Sequence, residues 1–534
     1  MERTMDPRST SLACLRFLAR RRTLAGWLLL GALTGCNSVG AYVDRMAALQ
    51  PDSYVVVLPE ERLSLTCVGS FLEARRAEGF SVQTLILRTD ASEEDRIRQV
   101  QEELAALRPA DGGVGYVLFM ASKYELPMGP WKVEGLPERV HSDAPLLLGR
   151  SHPTTVALNK EDWMAPFEEG FAWIPGRIPF EEEELLALTL RSGERYRERP
   201  PEKHPQAHLG SERYMVWADS SMTLNGADSA FERHGWRSTH FSEDWPGDLT
   251  LADPEALPEA QEHLAATCNG ACVGPGEEGT PKTCAFPPIT TAPVENEQPY
   301  EPAELLFISQ WSHLAPHVVY TCSHGMTTLA LSDNVIAVTI PGPDGKVRYS
   351  GAELKQPAVQ KKIAERSKVH VGDRLISDRI IQQFSSWAER EGIVAAPAHP
   401  AISFFSGCMT GRSNTPFQAR LFREGWVCAY VSSTETVSPS PLSAGYRVQV
   451  NLGKFVGAGL PLGLAVRGLQ TSYLDQARST LGYIFSPGVT HDMARNLLAF
   501  TLYGDPSIPI LPARACNARE EVVTPRGFEP LSPG

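Results

Sequence analysis

The sequence predicts an α/β protein with mostly parallel sheets flanked by helices, arranged as two α/β subdomains. Short runs of Val, Ile, Tyr and Phe alternate with longer segments of helical apolar spacing, the rhythm of βαβ units covered on both faces. The rhythm restarts past residue 206, and 534 residues exceed what one core usually organises.

The first subdomain is expected over 50–205. "SYVVVLP" (53–59) reads as a buried strand, and 61–78 has helical spacing with Leu63, Leu65, Phe71 and Leu72. "FSVQTLIL" (80–87) is a second strand, 93–107 a charged helix, and "VGYVLFM" (114–120) a third strand. "FAWIPGRIPF" (171–180) ends in a turn and enters an acidic helix over 181–199.

The second subdomain is expected over 206–512. It opens with "RYMVWADS" (213–220) as a strand and a helical segment near 227–234, followed by a Pro-, Gly- and acid-rich surface excursion over 240–300. A helix near 304–314 leads to a strand ending at His324, and "NVIAVTI" (334–340) follows. The polar stretch 341–398 holds an amphipathic helix within 372–392. A strand then runs up to Cys408, with a helix at 416–424, Gly425 and a strand at 426–433 behind it. Helices at 463–478 and 491–502 bring the chain to "YGDPSIPI" (503–510), read as a closing edge element. The polar tail 513–534, broken by Pro and Gly, is expected to be mobile.

Composition is that of a globular protein, 42% hydrophobic and 21% charged, with a formal net charge of −13. That charge gives no support to nucleic-acid binding and fits a solvated acidic surface. The first 36 residues read as an export signal. Four arginines fall within 16–22, an apolar stretch (24–33) too short to span a bilayer comfortably follows, and "LTGC" ends at Cys36. "LTGC" resembles a bacterial lipobox, which would make Cys36 the lipid-bearing N-terminus of the mature chain and its attachment to a membrane; a plain signal peptide or a short anchor is the alternative.

Ten cysteines are too few for a disulfide-built scaffold, although export permits individual bonds. Cys268, Cys272 and Cys284 share a Gly/Pro-rich loop suited to one disulfide; three thiols without a fourth ligand make a metal site the weaker reading. Cys67 is expected on an apolar helical face and Cys428 inside a core strand. No glycine-rich phosphate loop, HExxH or GxSxG is present, so zinc-protease and serine-hydrolase readings lack their signatures.

"VVYTCSHG" (318–325) and "ISFFSGCMTG" (402–411) are the informative pair. Each is a strand-like run ending in small residues, one presenting His324 and the other Cys408. Loops at the carboxyl ends of neighbouring parallel strands meet where ligands bind. A thiol attacks a carbonyl as thiolate, and a nearby imidazole both favours that form and returns a proton to the leaving amine. Gly325 offers a backbone N–H without a side chain in the way, and Gly407 permits the sharp turn that aims amides at an oxyanion.

These motifs resemble those of the C25 peptidases, the gingipain-like cysteine proteases related in fold to caspases. "VVYTCSHG" is similar to that family's strand ending in His-Gly, and "ISFFSGCMTG" to its strand ending in a small residue, Cys and Gly. "ARLFREGWVCAYVSSTE" resembles the helix, glycine and strand that follow, and "NLLAFTLYGDPSIPI" the segment that closes the catalytic domain. "YVLFMAS" and "WIPGRIPFEEEEL" resemble its first subdomain, so the likeness spans about 50–512.

The resemblance implies a caspase/gingipain-like fold and peptide-bond hydrolysis through an acyl-enzyme. Cys408 is then the nucleophile, His324 its imidazole partner, and the N–H groups of Gly325 and Cys408 the oxyanion hole. It implies a polypeptide substrate, no required cofactor, and calcium as a structural ion, although no loop here is rich enough in Asp, Asn and Gly to specify a site. With the lipobox it implies a bacterial envelope location, facing the periplasm or the exterior. Asp505, in the family-like turn, reads as an Asx-type cap and not as a catalyst. Asp333 and Glu304 are loose candidates for a third acid, and Ser323 stands where many relatives have glycine. The competing readings are an inactive relative serving binding or surface assembly, and another acyl-transfer hydrolase. Oligomeric state is not encoded in any of these features.

Overall fold

The computed structural model describes residues 41–109, 113–128, 131–132, 140–147, 172–211, 229–242, 302–322, 325–326, 337–342, 345–350, 378–390, 392–405, 411, 415–434, 453–478 and 495–511, with a few positions between 353 and 376. The export signal with Cys36, the segment 213–220, the loop holding Cys268, Cys272 and Cys284, and the tail lie outside the described residues.

The first part supplies strands β1 (Ser53–Pro59), β2 (Ser81–Leu87), β3 (Gly115–Phe119) and β4 (Trp173–Arg177), with helices α1 (Thr66–Ala77), α2 (Glu93–Ala106) and α3 (Glu183–Arg197) between and after them. β1 and β3 are buried almost throughout, which is why they read as unbroken apolar runs. β2 pairs only with β1 and exposes Gln83 and Thr84, as an edge strand should. Ser92 caps α2 by accepting from the Asp95 N–H at 3.2 Å, ahead of a first turn of acids.

The helix expected over 61–78 is divided. A 3-10 turn (Glu60–Ser64) is separated from α1 by Leu65 in extended conformation. The break turns Arg62 inward, where it donates to the Met120 carbonyl at 3.0 Å and pairs with Glu125 at 2.7 Å.

The second part supplies β5 (Gln206–Ser211), β6 (Arg237–Ser242), helix α4 (Pro302–Leu314) and β7 (Val318–Cys322). After these come the short β8 (Gly325–Met326), a hairpin of β9 (Ala337–Gly342) and β10 (Gly345–Ser350), and β11 (Gly372–Asp373). Helix α5 (Asp378–Arg390), β12 (Ala401–Phe405), α6 (Pro416–Arg423), β13 (Val427–Ser433), α7 (Leu462–Arg478) and β14 (Phe500–Tyr503) follow. The sequence pattern did not mark β5 and β6: "QAHLGS" and "RSTHFS" carry polar residues that alternation alone does not separate from loop.

Ten strands form one sheet in the order β2-β1-β3-β4-β14-β13-β12-β7-β5-β6, mostly parallel and flanked by helices. The two stretches of chain thus contribute four and six strands to a shared sheet. They meet at β4 and β14, through the pair Tyr503↔Arg177. Elements of each stretch cover the other: α3 packs on β13 and α6, and α7 packs on β4.

β14 corrects two expectations. The helix expected over 491–502 ends before Phe500, and Tyr503, expected to open an edge element over 503–510, instead ends β14 inside the sheet and antiparallel to β13, with only an isolated bridge from Pro509 to Pro461 behind it. Gly504 ends the strand at φ +120°, donating its N–H to the Arg177 carbonyl at 2.8 Å; a Cβ there would lie 2.7 Å from that of Ala429. Arg177, fully buried, also pairs with Asp143 at 2.6 Å and donates to the carbonyls of Ala121 and Leu126, both at 2.9 Å.

Candidate active site

β12 lies between β13 and β7, parallel to both. Against β7 its register runs from Ile402↔Val318 to Phe405↔Thr321, so the two strands finish side by side. This follows from composition: "VVYT" and "AISFF" are buried throughout and have no polar face to turn to solvent. His324 is two residues beyond Cys322, the end of β7, and directly precedes Gly325, whose backbone pairs with Asp373 in the β8–β11 ladder. Cys408 is three residues beyond Phe405 and three before Gly411.

His324 and Cys408 themselves lie outside the described residues, as do Ser323, Gly407 and Asp333; of Gly325 the backbone is described, and of Glu304 only its place in α4. Chain connectivity limits the separation of Cys408 from either Phe405 or Gly411 to about 11 Å, and of His324 from Cys322 to about 8 Å. Adjacent strands are about 4.8 Å apart. The strands that lead to both residues therefore end at one margin of the sheet.

Both ends of the cysteine segment are pinned. Ser432 donates its hydroxyl to the Phe405 carbonyl at 3.0 Å, holding the near end. At the far end Gly411 donates its N–H to the Ser433 carbonyl at 2.8 Å and accepts from the Tyr503 hydroxyl. Gly411 lies so close to β13 that a Cβ would stand 2.7 Å from the Ser432 carbonyl oxygen. The same hydroxyl of Tyr503 reaches the Met128 sulfur at 3.6 Å, and Thr434 donates to the His141 carbonyl at 2.6 Å. The segment following β3 is thereby held beside the end of β13. Sequence reading singled out Gly407 and Gly325 but missed Gly411 and Tyr503; the one available signal was a second glycine placed between the cysteine and the next helix.

Cys67 and Cys428, the two cysteines whose side chains are described, do not compete for the nucleophile's role. Cys428 is buried in β13, donates to the Ala401 carbonyl at 3.4 Å, and its thiol is pushed up by burial. Cys67 is half-buried on α1 against the core, and burial raises it as well. Both were expected as packed residues, and neither setting favours a thiolate.

Two buried histidines flank the region and are held neutral. His317, just before β7, accepts from the Gln206 N–H at 3.2 Å through Nδ1; burial, then Arg199 and His399, lower it to about 2. His208, in β5, stacks on Phe307 with ring centroids 4.4 Å apart, and burial lowers it to about 4 against the opposing bond to the Phe307 carbonyl. Neither titrates as a proton shuttle near neutral pH.

Asp505 is structural, as its Asx-turn reading expected: Oδ1 accepts from the Ser507 N–H at 2.8 Å. It is also the centre of a buried ion cluster with Arg75 at 2.5 Å and Arg197 at 2.7 Å. Among the described residues no three His, Cys, Asp or Glu side chains gather to hold a metal, so none of these offers the calcium site that the resemblance implied. Among them, too, no helix is long and apolar enough to cross a membrane.

No family model and no curated protein matches the chain. Solved structures with a similar course are those of the Arg-specific cysteine proteinase gingipain R (RgpB), at 11% identity, covering 86% of this chain and 80% of that one with a TM-score of 0.48. A structure described only as a protease gives 10% identity, 87% and 80% coverage and a TM-score of 0.48. The complex of the pro- and mature domains of Porphyromonas gingivalis RgpB gives 11%, 86% and 79%, with a TM-score of 0.46. These likenesses concern overall course and assign no residue of this chain.

Proposed function

We propose that this chain is an exported cysteine endopeptidase, hydrolysing peptide bonds through a Cys408 thiolate and a His324 imidazole. The observation that carries the proposal is the pairing of β7 and β12, parallel neighbours that end together and lead within two and three residues into His324 and Cys408. The resemblance of both motifs to C25 peptidases points the same way.

In the proposed reaction the Cys408 thiolate attacks the peptide carbonyl, and backbone N–H groups of Gly325 and Cys408 hold the oxyanion. The C–N bond breaks as the His324 imidazolium passes its proton to the leaving amine. Water, deprotonated by His324, then attacks the thioester and releases the acid and the thiol. The chemistry uses no cofactor. The lipobox-like "LTGC" supports a mature chain held by lipid on Cys36 in a bacterial envelope, with polypeptides as substrates.

The test compares the mature protein with its C408A and H324A variants on a broad peptide mixture, with and without reductant and calcium, read by mass spectrometry. Cuts lost in both variants are expected. No cuts, together with no labelling of Cys408 by a peptidyl thiol trap after limited proteolysis, would refute the proposal. Cys36→Ala is expected to move the protein from the membrane to the soluble fraction.

A further inference from the structure

We propose that the cavity between α7 and the sheet is a carboxylate-binding site, with Arg467 as the group that holds the ligand. The inference does not use the dyad. α7 turns Gly463, Val466, Arg467 and Gln470 toward β4 and β14, at the i, i+3, i+4 and i+7 spacing of one helix face. At Gly463 the helix nearly touches the sheet, since a Cβ there would stand 2.5 Å from Cγ2 of Ile174. Beside the next turn lies a cavity of about 40 Å³, bordered by Arg467, Ser142, Asp143, Trp173 and Thr501. That space admits a carboxylate group or a few waters, and not a whole cofactor-sized molecule.

An arginine on a helix face that covers a sheet needs a partner, and no carboxylate among the described residues pairs with Arg467. Its Nη1 is buried without an acceptor. Asp143, which borders the same cavity, is committed to Arg177, whose Nε and Nη2 it meets at 2.6 to 3.1 Å. Gln470 is likewise spent on the carbonyls of Leu497 and Phe500, at 3.2 and 3.4 Å. The charge that acts on Arg467 is a second cation, Arg45, on the helical segment 41–48 whose Met46 packs against α7. Burial, then Arg45, lower the guanidinium to about 10, so at neutral pH it is still a cation, desolvated and beside a like charge. A planar guanidinium with a buried, unused N–H matches a carboxylate, which accepts two parallel N–H bonds and cancels the charge.

Two sources can supply that group: an acidic side chain of a polypeptide, or a free small acid. Placement favours the first. Phe500 pairs with Ser433 at the end of β13, so the cavity lies at the margin of the sheet where β12 and β7 also end.

The test uses the full mature chain as wild type, R467M and R467K, with succinate as the probe. Thermal midpoints are read against succinate concentration at fixed ionic strength, with chloride as the control; binding to the native state raises them. Wild type is expected to respond to succinate and not to chloride. The dissociation constant should rise at least about tenfold in R467M, and less in R467K, because lysine keeps the charge without the fork. Without ligand R467M should unfold no earlier than wild type, since the cation it removes has no acceptor. A second arm reads the cuts made in a broad peptide mixture. Asp or Glu enriched at a fixed distance from the cut in wild type, and lost in R467M, identifies a substrate side chain. Succinate binding without that enrichment identifies a free acid. A midpoint unmoved by succinate, together with cuts of no acidic preference, would overturn the site and leave a cavity that holds only water. A succinate response undiminished in R467M, or an R467M markedly less stable than wild type without ligand, would overturn it as well. The succinate arm needs no cleavage, so a failure of the dyad leaves it standing.

Discussion

Asp505→Asn should destabilise the protein by about 3–5 kcal/mol while changing a single atom. Five donors converge on its two oxygens. Oδ1 accepts from the Tyr54 hydroxyl at 2.7 Å and from the Ser507 N–H and hydroxyl, both at 2.8 Å; Oδ2 accepts from Arg75 at 2.5 Å and Arg197 at 2.7 Å. An asparagine keeps one acceptor and turns an NH2 toward two guanidiniums, leaving the fully buried Arg75 with only the part-exposed Glu194 at 2.6 Å and Glu78 at 3.0 Å as counter-charges. The pKa gives a second estimate. Burial pushes the carboxyl up, but Arg197, then Arg75, the Tyr54 hydroxyl and the Ser507 N–H more than offset it and leave it at about 2. Relative to an unfolded value of ~3.9, that depression alone is worth roughly 2.5 kcal/mol. Because the folded pKa is depressed, the contribution is complete above about pH 4 and is lost as pH falls toward 2. Urea unfolding followed by tryptophan fluorescence at pH 7, on wild type and D505N, measures the difference. A D505N protein within about 1 kcal/mol of wild type would refute the reasoning, because it would mean that the buried arginines do not depend on this carboxylate.

Three further outcomes follow from the same structure. His208 and His317 stay neutral when folded but take a proton near pH 6.5 when unfolded, so their contribution is complete above about 6.5 and falls with pH, by roughly 2 kcal/mol each at pH 5. His317→Asn, whose carbonyl can accept from Gln206 in place of Nδ1, should remove about half of that loss between pH 7.5 and 5 in urea titrations; an unchanged loss would contradict it. Arg177→Met strands Asp143 and the carbonyls of Ala121 and Leu126 in the core and should cost ~3–5 kcal/mol, visible as a lowered urea midpoint. Gly411→Ala forces a Cβ within 2.7 Å of the Ser432 carbonyl oxygen, which is rigid backbone, so the segment must move: peptide cleavage should fall by about a hundredfold with a stability loss of about 1–3 kcal/mol, and wild-type turnover would refute it.

What was legible in the sequence is what burial on two faces makes legible. β1, β3, β12 and β13 are apolar along their length because each is covered on both sides, and their places were read within a residue or two. β5 and β6 were missed because polar residues such as His208 and Thr239 sit inside them, and these two meet across the ladder at 3.3 Å. Phe500–Leu502 was taken as the end of a helix because "LLAFTL" has both periods, and only pairing with β13 decides between them. The adjacency of the His324 and Cys408 strands was inferred from their matching endings, and the β7–β12 register agrees with it. The contact between Gly411 and Tyr503 was beyond reach, since it joins positions far apart in the chain.

The stretch from Tyr503 to Ser507 shows why stability and site geometry are coupled here. Tyr503 reaches the segment after Cys408, Gly504 donates to Arg177 of β4, and Asp505 gathers Tyr54 of β1, Arg75 of α1 and Arg197 of α3. Five consecutive residues therefore clamp the first part of the chain to the second and hold the loop between them. The two parts share a single strand pair at this seam, so little else in the sheet can carry that load. A change that loosens the Asp505 cluster should reach the cysteine loop through a displacement of Tyr503. D505N should accordingly alter the pH profile of Cys408 alkylation under conditions where it remains folded. If alkylation stays at the wild-type profile while stability drops, the seam and the loop are independent, and the stacking of Tyr503 on Tyr430 does not depend on the Asp505 cluster.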